Sequence, residues 1–222
     1  MHVESFILLV VVICTIIALF PGSAHGEHAP GHVEVDEESG FITADGAPVA
    51  RIVWPERDEL GPMETTVAPA KGPWWRVRMT WTLDTETPLD ELAAHIEILG
   101  TPDFWWAPHL APREGDCIGQ HVFRSPALIA AEGPAVLTVI PDLDICGQTA
   151  EQPWFLDLDV PSKRFTVGLS HTRIYTHVLY EKAPGMVVQP GTVALGFWVA
   201  VTREEHAPIN PWRAAARFLW NR

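Results

Sequence analysis

The segment 193–201 reads VALGFWVAV and decides the fold class. Its side chains alternate between two faces, as they do in a β-strand, yet both faces are apolar. An antiparallel strand at the surface of a domain normally has one apolar and one solvated face. We therefore predict that this strand lies in the middle of a sheet that is covered on both sides.

Other segments show the simpler alternation of a half-buried strand. In 75–83, the apolar residues Trp75, Val77 and Met79 alternate with polar ones. Further strands are predicted at 48–54, 154–160, 165–169 and 174–180, with a turn at Pro161-Ser162-Lys163. The chain contains 20 prolines, which break it into short runs. This pattern predicts an all-β fold, an antiparallel β-sandwich.

Two helices are also predicted. Thr87-Pro88-Leu89-Asp90 has a hydroxyl N-cap and a proline at the first helical position, so a short helix is expected to run to about Leu99. A second helix is expected to begin at Asn210-Pro211 and to continue to the last residue, with an apolar stripe that includes Trp212 and Leu219. Either this helix docks on the sandwich, or it leads into a second domain.

The beginning of the chain indicates export. Residues 6–20 form an apolar run that is followed by Pro21-Gly22-Ser23-Ala24, a turn with small residues at the positions that a signal peptidase needs. We predict a signal peptide at 1–24, a flexible polar leader at 25–46, a β-sandwich domain at 47–207 and a C-terminal linker helix at 208–222. An uncleaved anchor and a cut after Gly26 remain alternatives.

Charge and cysteine content agree with a periplasmic or secreted protein. The formal net charge of −13 argues against nucleic acid, and no second apolar stretch is long enough to span a membrane. If Cys14 leaves with the signal, Cys117 and Cys146 remain as an even pair. In an oxidising compartment such a pair predicts a disulfide, and two buried free thiols are the alternative.

A signal cut after Ala24 would make His25 the first residue of the mature chain. The α-amine and imidazole of a terminal histidine offer two nitrogen ligands, which copper prefers. Because Gly26 follows and other histidines such as His95 are present, this start is similar to that of the copper-dependent polysaccharide monooxygenases. The alternative is a His-rich leader that binds metal weakly or not at all.

Two short motifs carry a wider resemblance. The sequence contains His121-Val122-Phe123-Arg124-Ser125-Pro126-Ala127 and then Ile140-Pro141-Asp142-Leu143-Asp144, and it ends with a helix that begins Asn210-Pro211-Trp212-Arg213. In these features it resembles the N-terminal β-sandwich domain of bacterial multidomain glycoside hydrolases whose catalytic domain is an α/α toroid. The resemblance implies a carbohydrate-acting context, with the acid and base in the toroid and not in this chain.

Several side chains are candidates for recognition. Trp74-Trp75 and Trp105-Trp106 are adjacent pairs, and strand neighbours point to opposite faces. The outward ring of each pair, assigned to Trp74 and to Trp105 or Trp106, is predicted to stack on a sugar or to be covered by another domain. Arg124 is a candidate for binding carboxylates or sugar hydroxyls.

Asp142 and Asp144 are two residues apart and are candidate ligands for calcium or hydroxyl groups. A structural ion pair or turn capping is the alternative for both aspartates, as it is for Arg124.

We therefore expect an exported, non-catalytic sandwich that is associated with a carbohydrate-active catalytic domain, as a truncated or split glycoside hydrolase would be. The expected partner is an α-helical toroid domain or a polysaccharide. No cofactor is required by this function. The alternatives are a carbohydrate-binding module that uses the outward tryptophans, and a copper-dependent oxidative enzyme that uses His25.

Overall fold

The computed structural model describes residues 32–107, 117–120, 127–146, 154–170, 172–174, 180–182, 185–203 and 210–221. Seventeen strands lie in these ranges. They are β1 Val33–Val35, β2 Phe41–Ala44, β3 Ala47–Val53, β4 Glu64–Pro69, β5 Trp74–Leu83, β6 Thr87–Leu89, β7 Glu91–Ile98, β8 Phe104–Trp106, β9 Cys117–Gln120, β10 Leu128–Glu132, β11 Ala135–Pro141, β12 Trp154–Asp159, β13 Arg164–Ser170, β14 Thr172–Ile174, β15 Tyr180–Lys182, β16 Met186–Val188 and β17 Gly191–Arg203.

Two large antiparallel sheets form the fold. A seven-stranded sheet has the order β1-β2-β3-β7-β13-β12-β9, and a six-stranded sheet has the order β4-β5-β17-β11-β10-β8. The pairs β14-β15 and β16-β6 form two small sheets. The prediction of an all-β, antiparallel sandwich is therefore confirmed.

Strand β17 lies inside the six-stranded sheet, as its two apolar faces predict. It pairs with β5 along ten residues, from Gly191 to Ala200, and with β11 along seven residues on its other side. Every residue of the segment 193–201 is buried. One face, which includes Leu195 and Phe197, belongs to the core between the sheets, and Trp198 and Ala200 on the other face belong to a separate apolar cluster.

The main core fills the space between the sheets. Its largest fully buried side chains include Trp81 and Phe197 of the six-stranded sheet, and Ile96 and Phe165 of the seven-stranded sheet. The indole Nε1 of Trp75 donates a hydrogen bond to the backbone oxygen of Val33 at 3.2 Å, which joins β5 to β1.

The helix predicted from Thr87 to Leu99 is wrong, because this segment forms β6 and β7. Leu92, Ala94 and Ile96 are buried in the main core, while the residues between them lie on the opposite face. The capping motif at 87–90 and the strand alternation at 91–98 overlap in sequence. Pairing of β7 with both β3 and β13 favours the strand, because tertiary context overrides local propensity.

Two other boundaries also differ from the prediction. The leader predicted at 25–46 contains β1 and β2, whose residues Val33, Val35 and Ile42 enter the core. The single strand predicted at 174–180 is wrong, because Ile174 and Tyr180 face each other as antiparallel partners in β14 and β15. Residues 25–31 lie outside the described ranges.

The predicted turn at 161–163 is confirmed between β12 and β13. The backbone N–H of Lys163 donates to the carbonyl of Val160 at 3.0 Å. The backbone N–H of Ser162 donates to Asp159 Oδ1 at 3.1 Å. This bond, together with one from the Ser162 hydroxyl, holds the pKa of the Asp159 carboxyl below its ordinary value.

The described residues contain one short 3₁₀ helix, Asp58–Leu60, and two α-helices, α1 Leu143–Cys146 and α2 Arg213–Trp220. Helix α2 begins three residues after Asn210, and its N-cap residue Trp212 makes no side-chain capping bond. The predicted asparagine cap is therefore wrong. None of the helices in the described ranges is long and apolar enough to cross a membrane.

Candidate functional site

The outer face of the six-stranded sheet carries aromatic side chains at two places. Trp74 and Trp198 lie on the neighbouring strands β5 and β17, and Phe104 and Trp106 lie on the edge strand β8. Between them the sheet presents smaller side chains, including Ala131. These aromatic residues, together with the N-cap residue Trp212 and Phe218 of α2, are called here the outer aromatic cluster.

Helix α2 closes the outer aromatic cluster. The ring of Phe218 stacks on Trp74 with centroids 4.0 Å apart and lies 5.4 Å from Trp198. At the opposite end, Trp212 meets Phe104 and Trp106 edge-on, at 5.5 Å and 6.3 Å. An isolated helix of eight residues is not stable in water. This packing therefore holds α2 on the sheet, as the docking alternative requires.

The two tryptophan pairs split between the faces of the sheet, as predicted. Trp75 and Trp105 pack against the main core, and Trp105 contacts Phe165 edge-on at 6.0 Å. Trp74 and Trp106 belong to the outer aromatic cluster.

The outward rings do not together form an exposed platform on which a sugar could stack. Trp74 is only 6% exposed, because Phe218 covers its ring. Trp105 and Trp106 are half-buried. In contrast, Trp220 in the last turn of α2 is 90% exposed. The sequence identified the outward rings and the helix, but not that the helix covers Trp74.

Asp142 and Asp144, the candidate calcium ligands, lie in different environments. Asp142 is fully buried directly after β11, and its Oδ2 accepts a hydrogen bond from Arg76 Nε at 2.6 Å. Asp144 lies on the exposed side of α1. Within the described residues, no three histidine, cysteine, aspartate or glutamate side chains come close enough to hold a metal ion. Asp142 thus makes the ion pair given above as the alternative, and calcium binding stays a prediction.

The partner of Asp142 makes a second contact. The guanidinium of Arg76 lies over the ring of Trp198, with its carbon 5.2 Å from the ring centroid. Arg76 and Trp198 face each other in the register of β5 and β17. The side chain of Arg76 is 38% exposed, whereas that of Asp142 is 0% exposed. A buried carboxylate thus fixes an arginine that still reaches solvent.

A second polar region lies on the outer face of the seven-stranded sheet. Asp157, Thr166 and His95 face one another across β12, β13 and β7. The Nδ1 of His95 and Thr166 Oγ1 are 2.9 Å apart. Asp157 is only 8% exposed, so this face of β12 is largely buried although it carries an aspartate. Phe155 is buried on the same face, over Gly168. A phenylalanine at an outward position was the signal in the sequence that this face is covered.

A small cleft opens between the sheets, next to Leu99 and Gly100. Its volume is about 160 Å³, and it is lined mainly by apolar side chains such as Ile98 and Leu137. Ligand pockets usually measure roughly 300–1,000 Å³. We therefore do not assign a ligand to this cleft.

Several predicted site residues lie outside the described ranges. His25 and Arg124 are among them, so the copper site and the Arg124 recognition site stay predictions. Cys117 lies in β9 and Cys146 ends α1. Their side chains are outside the described part of the structure, so the disulfide also stays a prediction.

Comparison of the sequence with models of known protein families finds no match, and no curated protein is significantly similar to it.

The pairing of Arg76 with Asp142 predicts an asymmetric response to mutation. Arg76→Met leaves a fully buried carboxylate without this partner, so it should lower the free energy of unfolding by about 3 kcal/mol. Asp142→Asn leaves an arginine that water can reach, and should cost only about 1 kcal/mol. Urea denaturation of each variant measures both values.

Arg51→Met is the matched control, because Arg51 is an exposed arginine on the other sheet. It should change stability by less than about 0.5 kcal/mol. An Asp142→Asn variant that is less stable than Arg76→Met would contradict the role given to the pair.

Proposed function

We propose that this chain is an exported, non-catalytic β-sandwich domain that associates with a carbohydrate-active catalytic domain. The observation that carries the proposal is the exposure of Trp220 on a helix whose other side packs on the outer aromatic cluster. The sandwich fold and the resemblance described above supply the carbohydrate context. The resemblance also names the kind of partner, an α-helical toroid.

Helix α2 has two different sides. Ala214 and Ala215 are buried against the outer aromatic cluster, whereas Ala216, Arg217 and Trp220 are exposed. Tryptophan and arginine are the residue types that most often dominate the energy of protein interfaces. A large exposed ring beside an arginine on a firmly packed helix is therefore a suitable anchor for a partner protein.

The structure does not favour the tryptophans of the carbohydrate-binding alternative. Trp74 is covered by Phe218, and Trp105 packs against the main core. Only Trp106 of the nominated rings combines partial exposure with a place on the outer face. The chain is therefore proposed to contact a protein partner through α2 and not to stack a sugar on these three rings.

Export carries two further proposals: removal of the signal peptide and a disulfide between Cys117 and Cys146. We expect the protein recovered from the periplasm or medium to begin after residue 24, with both cysteines resistant to alkylation until a reductant is added. Intact-mass analysis with and without reductant measures both properties. Retention of residues 1–24, or two cysteines that react without reductant, would contradict the export proposal.

The partner proposal is tested at Trp220. The purified chain should form a complex with an α-helical glycoside hydrolase that is encoded beside its gene, measured by calorimetry. Because hot-spot tryptophans contribute at least 2 kcal/mol, Trp220→Ala should weaken this complex by roughly 30-fold. Its melting temperature should not change, because the side chain is exposed.

Leu143→Ala is the control, since Leu143 is an exposed apolar residue on the other α-helix, α1. It should change affinity by less than about threefold. If none of the neighbouring carbohydrate-active proteins binds the chain, or if both variants bind equally well, the proposal is wrong.

A further inference from the structure

Two arginines lie side by side on the outer face of β5, beyond the outer aromatic cluster. Arg76 and Arg78 alternate with core residues and therefore point to the same side of the sheet. Their partners on the edge strand β4 are Ala68 and Thr66. These four residues are called here the arginine shelf.

The arginine shelf has one wall. On the side of β17, Gly196 faces Arg78, and Asp142 and Ile145 lie over this glycine. A Cβ atom at Gly196 would be only 2.8 Å from Ile145 Cδ1, so this contact leaves no room for a side chain. On the side of β4, the shelf ends at the edge of the sheet. A ligand can therefore approach from that edge.

Arg78 has an unsatisfied donor. Its Nε is buried, yet it makes no hydrogen bond within the described part of the chain. Glu64 lies near it, opposite Thr80, but the two form no ion pair. A buried donor without an acceptor costs about 1–3 kcal/mol, and native structures rarely tolerate this. The terminal nitrogens of the Arg78 guanidinium are not among these buried atoms, and they are the donors that a ligand oxygen can reach.

Arg76 is held in a fixed position beside Arg78. Its Nε is bound to Asp142 and its guanidinium lies over Trp198, so the side chain is fixed before a ligand arrives. The side chain is nevertheless 38% exposed, so a ligand can reach it. Such pre-organisation lowers the entropy that binding costs.

The spacing and charge of the two side chains suit an oxyanion. Residues two apart on a strand are separated by about 7 Å, so two guanidinium groups can contact one carboxylate or sulfate from two sides. Asp142 compensates the charge of Arg76, while Arg78 has no acidic partner among the described residues. The net charge of −13 does not prevent this, because charges further than about 8 Å away are largely screened at physiological salt.

We infer that Arg76 and Arg78 form a subsite for an oxyanion, the carboxylate or sulfate group of an acidic polysaccharide. The assignment to a polysaccharide rests on the proposed function, whereas the oxyanion chemistry rests on the arginine shelf alone. Thr66, opposite Arg78, adds a hydroxyl at the open edge.

The test measures binding of the full mature chain to polygalacturonate, to a neutral glucan and to inorganic sulfate. Affinity electrophoresis should show stronger retardation by polygalacturonate than by the glucan. Arg78→Gln should weaken polygalacturonate binding about tenfold, because it removes charge-assisted hydrogen bonds. Arg51→Gln, the same change on the other sheet, should weaken it less than twofold.

A thermal-shift titration with sulfate gives the second measurement. Sulfate should raise the melting temperature of the wild type more than that of Arg78→Gln, since a ligand stabilises the form that binds it. Arg78→Lys should recover only part of the response, because lysine keeps the charge but lacks the planar fork. The melting temperature without sulfate reports whether each variant is folded.

The outcomes separate the two proposals. Equal effects of Arg78→Gln and Arg51→Gln on both ligands would overturn the subsite. A response to sulfate without preference for polygalacturonate would overturn the polysaccharide assignment. Specific retention by polygalacturonate in a chain that binds no catalytic partner would support the subsite and contradict the proposed function.

Discussion

Strand β17 is apolar on both faces, and burying both of them determines how the surrounding elements are arranged. Strand β17 hydrogen-bonds to β5 on one side and to β11 on the other, so it fixes the centre of the six-stranded sheet. Its inner face is covered by the second sheet of the sandwich. Its outer face carries Trp198 and would be exposed unless another element covered it. Helix α2 covers Trp198, and Ile145 of α1 covers Gly196. The outer aromatic cluster follows from this requirement.

The need to bury Trp198 also explains the positions of the two proposed binding surfaces, Trp220 and the arginine shelf. Covering Trp198 engages one side of α2, which leaves Trp220 on the other side as an exposed anchor. The apolar part of the outer face ends near β5, where Arg76 lies over Trp198 and pairs with Asp142. Arg78 is the next residue on the same face. The proposed protein contact and the proposed oxyanion subsite therefore lie on one side of the sandwich.

Features that depend on the local alternation of side chains could be predicted from the sequence. Features that depend on contacts between residues far apart in the chain could not. Residues 193–201 and the opposite directions of the tryptophan pairs follow from the two-residue period of a strand. The helix predicted at 87–99 fails because its capping motif precedes a strand pattern that only the neighbours β3 and β13 select. The burial of Asp157 and the pairing of Arg76 with Asp142 depend on elements that are far away in sequence. For the same reason, Arg78 was not recognised as a candidate residue from sequence.

Hydroxyl-radical footprinting with mass spectrometry tests whether α2 covers Trp198 on the outer face of β17. The method measures the exposure of individual side chains in the folded protein, and the ten tryptophans of the chain are reactive probes. We expect rapid oxidation of Trp220 and strong protection of Trp74 and Trp198, which are 6% and 8% exposed. Oxidation of Trp74 and Trp198 at the rate of Trp220 would show that α2 does not cover them.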